Sequence, residues 1–67
     1  MTILKPVMRT ALEKILTFAQ DRNADETYAQ IRDFDSPTEL DRVADDYEAG
    51  RLQDLEFCEK VEKYFGF

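Results

Sequence analysis

The stretch that decides the fold is SPTELDRVADDYEAG, residues 36–50, because a helix start, a helix body and a helix stop follow one another there. Ser36, Pro37 and Glu39 have the pattern of a capping box around a first-turn proline. Apolar side chains then recur at i, i+3, i+4 and i+7, namely Leu40, Val43, Ala44 and Tyr47. Gly50 is the residue type that commonly ends a helix in the left-handed conformation. The stretch therefore predicts an amphipathic helix over about 37–49.

The N-terminal third of the chain predicts a second, more apolar helix over about 6–22. Pro6 suits the first turn, where its missing N–H would have had no partner. Apolar residues follow at helical spacing in a wide stripe. Helices with so wide a stripe are usually packed by neighbours on two sides, so we expect this one to be central.

Two shorter helices, over about 24–34 and 54–65, complete the prediction. Asn23 has the properties of an N-cap, and Glu26 occupies the capping-box position three residues later. No repeat, linker or strand pattern is present. The chain is therefore predicted to be one all-α, compact four-helix domain over residues 1–67, with short turns.

The charge of the chain is unevenly distributed. Fifteen acidic and nine basic residues give a formal net charge of −6. Four basic and two acidic residues lie in 1–22, whereas five basic and thirteen acidic residues lie in 23–67. A surface of that sign repels nucleic acid and attracts basic partners. We expect no direct nucleic-acid binding, and we expect the partner to be another protein with a basic surface.

The acidic side of the third predicted helix is the main candidate for a partner-binding site. Asp41, Asp45 and Glu48 are spaced i, i+4, i+7 along it, and Asp33 and Asp35 precede it. Like charges at this spacing cost a few tenths of a kcal/mol each, so the pattern does not favour folding. The hypothesis is a docking surface for a basic groove. The alternatives are a solvated face that only confers solubility, and a nucleic-acid mimic that blocks a DNA- or RNA-binding protein.

The aromatic C-terminal residues are the second candidate. Phe65 continues the inward face of the last predicted helix, and Tyr64 flanks it. Phe67 either folds back onto the core or stays exposed as an anchor for a partner or a second copy. Because a core this small gives only ~3–5 kcal/mol of net stability, a structural role as a homo-oligomer or subunit stays open. Lys14 and Arg22 are expected to face acids of their own chain.

The residues for catalysis and metal binding are missing from the pattern. There is no histidine, and the one cysteine, Cys58, is predicted on an inward helix face. Residues 45–56 have the spacing of a calcium loop, but Tyr47 and Ala49 stand where two oxygen ligands are needed. We expect no enzyme activity, no metal and no cofactor, and a helix–glycine–helix corner at Gly50.

Composition also bears on location and broad function. No run approaches the ~18 apolar residues of a membrane span, and the N-terminal residues do not resemble a secretory signal. With a single thiol, the protein is expected to be cytoplasmic. Small, acidic, helical chains of this kind are common among phage and plasmid accessory proteins that inhibit or redirect a host protein. The predicted function is an acidic protein–protein interaction module, an inhibitor or adaptor.

Overall fold

The computed structural model describes the backbone of residues 6–67 and the side chains from Arg9 onward. It contains four helices: α1 (Pro6–Gln20), α2 (Ala24–Arg32), α3 (Thr38–Glu48) and α4 (Asp54–Tyr64). No strand occurs among these residues. The all-α four-helix prediction is confirmed. Each helix ends one or two residues earlier than predicted, because the last residues turn out of the helix to form the C-terminal cap.

Three of the helices end in the same left-handed turn. After α3, Gly50 has a φ of +80°, and the Arg51 N–H donates to the Asp46 carbonyl at 2.9 Å. After α4, Gly66 has a φ of +92°. After α1, the left-handed residue is Arg22, with a φ of +59°, although such a φ disfavours side chains other than glycine. The predicted stop at Gly50 is confirmed.

The two predicted N-terminal caps have different outcomes. The Asn23 side chain accepts a hydrogen bond from the Glu26 N–H at 3.3 Å, so the cap of α2 is confirmed. The Ser36 cap of α3 is wrong. Pro37 itself is extended, with a φ of −55° and a ψ of 145°, and α3 begins one residue later than predicted. Ser36 lies outside the cap, and its hydroxyl donates to the Ile31 carbonyl at the end of α2.

All four helices contribute to one core. The largest fully buried side chains include Ile15, Ile31, Leu40, Phe57 and Val61. Half-buried apolar residues pack around them, namely Leu12, Tyr28, Phe34, Val43, Tyr47, Leu52 and Phe65. The inward placement predicted for Phe65 is therefore confirmed.

The first helix packs against two neighbours, α2 and α4, as predicted, but it is not the central helix. Within residues 6–67, α2 and α4 each contact all three other helices, whereas α1 and α3 lie on either side and do not contact each other. Only Ala11, Ile15 and Ala19 of the described α1 side chains are buried. Leu16 and Phe18, at the two margins of the stripe, stay half-buried. The stripe is therefore wider than the surface that α2 and α4 cover. None of the helices described here has the length and apolar character needed to cross a bilayer.

Candidate functional site

The acidic side of α3 is organised around an arginine from α2. Arg32, in the last turn of α2, forms ion pairs with Asp41 at 3.6 Å, with Glu48 at 3.3 Å and with Asp45. The Arg32 guanidinium carbon also lies 5.4 Å from the centre of the Tyr28 ring, a cation–π distance. The hydrogen bond to Asp45 is the largest influence on the arginine and raises the pKa of Arg32 above its usual range. The three carboxylates therefore form a cluster with one cation, not a free negative stripe.

This cluster still has a negative excess and is open to solvent. The side chains of Asp41, Asp45 and Glu48 are 43%, 63% and 64% exposed. Three carboxylates share one guanidinium, so two negative charges are not matched by Arg32. We call these three residues the acidic surface. Because each carboxylate contacts Arg32 through one oxygen, its other oxygen is free to accept from a partner's basic group.

The other two predicted acids lie in the turn that precedes α3. Asp33 is the C-cap residue of α2, and Asp35 follows it; both side chains are exposed. Neither forms an ion pair with another described residue. Residues 33–48 contain seven carboxylates and one arginine, Arg42. Asp33 and Asp35 thus add negative charge along the chain next to the acidic surface without belonging to the Arg32 cluster.

The aromatic residues predicted as partner-binding lie elsewhere. Tyr64 is 36% exposed, with its ring edge-on to that of Phe65 at 5.1 Å between centres. Phe67 is 69% exposed, so it does not close the core, and its N–H donates to the Glu62 carbonyl at 3.1 Å. Tyr64 lies on the α4 side of α3, whereas the acidic surface lies on the α2 side. The structure therefore does not combine the acidic and aromatic candidates into one site.

The basic residues of the N-terminal third also separate. Arg22 forms an ion pair with Glu62 of α4, as expected for a contact within the chain, and this hydrogen bond raises the pKa of Arg22. Lys14 instead lines a groove between α1 and α2, beside Glu13 and Phe18. The intrachain pairing predicted for Arg22 is thus confirmed, whereas Lys14 forms no ion pair with another described residue.

The three aspartates of the calcium-loop segment have separate partners. Asp45 pairs with Arg32, and Asp46 pairs with Arg51 at 3.1 Å. Asp54 accepts from a tyrosine hydroxyl at 3.0 Å. Their ligand atoms therefore serve three different contacts and do not converge on a common centre.

Cys58 lies in the core, as predicted. Its side chain is fully buried, and burial raises the pKa of the thiol. A nucleophilic cysteine needs the thiolate and access to substrate, and burial works against both. Cys58 therefore contributes packing.

Arg32 was missed as a member of the site, although the sequence contained a signal for it. α2 and α3 are joined by only a few residues, so the last turn of α2 lies near the start of α3. An arginine at that position faces whichever side of α3 packs on α2. Comparisons with family models, curated proteins and solved structures found no match to this chain.

Proposed function

We propose that this protein is a small acidic protein–protein interaction module, an inhibitor or adaptor that acts in the cytoplasm on a larger protein with a basic surface. The observation that carries the proposal is the acidic surface. Its three carboxylates are held in a row by Arg32 on one side and exposed on the other. Such a row matches lysine and arginine side chains spaced along a partner's groove.

Arg32 also favours binding by ordering the carboxylates in advance. A free acidic side chain loses rotamer entropy when a partner fixes it, and this loss subtracts from affinity. Here the ion pairs with Arg32 already restrict Asp41, Asp45 and Glu48 before a partner arrives. The attraction acts over about one Debye length, ~8 Å at physiological salt, so it needs close approach.

The test neutralises the acidic surface while keeping the shape of its side chains. We expect the triple variant D41N/D45N/E48Q, used as bait in cell lysate, to capture the partner at least about tenfold less than the wild type. A matched control, E13Q/E26Q/E59Q, removes the same charge from three exposed side chains on α1, α2 and α4. We expect this control to retain capture, as read by quantitative mass spectrometry.

Two outcomes would redirect the proposal. If both variants lose the partner equally, overall charge and not the acidic surface is responsible. If both retain it, the acidic surface is only a solvated face. When a partner is captured, competition by duplex DNA for the same site would favour the nucleic-acid-mimic alternative. Circular dichroism of each variant separates lost binding from lost folding.

A further inference from the structure

A second surface lies between α3 and α4, on the side of α3 away from the acidic surface. It is a groove of about 290 Å³ lined by Glu39 and Val43 of α3 and by Lys60, Lys63 and Tyr64 of α4. Its base is apolar, through Val43 and the Tyr64 ring. One wall carries a negative charge and the other carries two positive charges.

The charges of this groove are not paired within the chain. Lys60, Lys63 and Glu39 form no ion pair with any residue in 6–67. The natural helical partner of Lys60 is Glu56, four residues earlier. The Glu56 carboxylate instead accepts the Gln53 N–H at 3.2 Å at the start of α4. Glu56 and Glu59 lie beside the two lysines along α4 but form no ion pair with them, so both walls of the groove present charges that remain available to another molecule.

A groove with opposite charges on its two walls is complementary to itself in one orientation. We propose that a second copy of this chain docks in it, related by a two-fold axis that runs along the groove. This rotation places α3 of one copy over α4 of the other. Glu39 of each copy then faces Lys60 and Lys63 of the other, and the apolar bases meet between them.

The alternative two-fold axis, directed across the groove, is excluded by charge. It would place α4 over α4, with the four lysines of the two copies together and the two Glu39 side chains together. Like charges brought close in this way oppose association. The inference does not rest on the proposed function, because the groove and the acidic surface lie on opposite sides of α3.

The expected dimer is reversible. A standard interface covers ~800 Å² of each partner, about one-sixth of the 4783 Å² surface of this chain. The net charge of −6 on each copy opposes association. We therefore expect a dimer that dissociates on dilution and not an obligate one.

Charge-swap variants of the full chain test the interface by analytical ultracentrifugation over a range of concentrations. We expect E39K and K60E/K63E each to raise the dimer dissociation constant at least about tenfold. The combined variant E39K/K60E/K63E exchanges the two walls and should restore dimerisation. Rescue within a single chain is specific to an interface in which each wall meets the opposite wall of an identical copy.

The matched control is R9E/K14E, which makes the same change in net charge on α1. We expect it to weaken the dimer much less than K60E/K63E does, because both bases lie outside the groove. Three results would overturn the proposal: a wild-type monomer at every concentration, a dimer indifferent to K60E/K63E, or no recovery in the combined variant. Thermal melting confirms that each variant is folded.

Discussion

At the scale of single residues, Tyr47 connects three helices. Its ring stacks on Phe57 at 4.3 Å and lies 5.8 Å from Tyr28. Its hydroxyl donates to Asp54 at 3.0 Å and lies 3.5 Å from Asp25. The periodicity of α3 was sufficient to place the Tyr47 ring inward. The two carboxylates could not be predicted, because they belong to the first turns of α2 and α4, whose approach depends on the packing of the whole domain.

The first prediction concerns the Tyr47 hydroxyl. Y47F keeps the ring and removes a hydrogen bond, so we expect it to lower the free energy of unfolding by about 1 kcal/mol at pH 8. Burial, followed by the Asp54 contact, raises the pKa of Tyr47 from 10.0 to about 12. A group whose pKa is raised by folding stabilises the protein below its unfolded pKa. The contribution is then lost as pH rises from 10 through 12.

Urea denaturation at a series of pH values measures this contribution. The difference in stability between wild type and Y47F should be largest below pH 10 and should fall as pH rises from 10 to 12. The other tyrosines and the lysines titrate in both proteins, so their effect on stability cancels in the difference. A difference in stability that stays constant across this pH range would show that folding does not raise the pKa of the Tyr47 hydroxyl.

At the scale of helices, local sequence signals predicted where each helix lies along the chain. They did not predict which helices pack against each other. Helix positions follow from capping residues, apolar stripes and Gly50, all of which lie within or next to the helix that they define. The position of α1 among the other helices does not follow from its own sequence. Leu16 and Phe18 widen its stripe, but a stripe records how apolar a helix is and not how many helices are available to cover it. The serine next to Pro37 was misread for a related reason, since the end of α2 supplied a nearer hydrogen-bond acceptor.

The second prediction concerns the attachment of α2 to α3 through Arg32. R32Q removes the cation from the acidic surface, and we expect it to destabilise the wild type by on the order of 1 kcal/mol. The same substitution should cost less in the D41N/D45N/E48Q background, because there are no carboxylates left to repel one another. Salt at 1 M should reduce the cost in the wild-type background through screening.

A double-mutant cycle by urea denaturation gives the coupling directly. If R32Q costs the same in both backgrounds, then Arg32 acts through its packing on Tyr28 and not through the carboxylates. That result would also remove the argument that the acidic surface is ordered in advance of binding.

At the scale of the whole molecule, charge and shape define two separate candidate binding surfaces. The acidic surface lies on the α2 side of α3, and the groove lies on the α4 side. The charge asymmetry could be predicted from the sequence. The separation into an acidic surface and a groove could not, because residues of both sides alternate along α3. In the proposed dimer two copies of the acidic surface are present at once. A partner with two basic sites would then gain from avidity as well as from each contact.

The burial of the Cys58 thiol controls how fast it reacts with a reagent in solution. It is the only thiol of the chain and is fully closed off by a core that all four helices share. An aromatic disulfide reagent can reach it only when the domain opens. With ~3–5 kcal/mol of net stability, we expect labelling to be roughly two to four orders of magnitude slower than for a free thiol. Denatured protein supplies the reference rate, and labelling as fast as that reference would contradict the buried position. Because a bound molecule suppresses opening, the reaction rate of this thiol reports the occupancy of either surface.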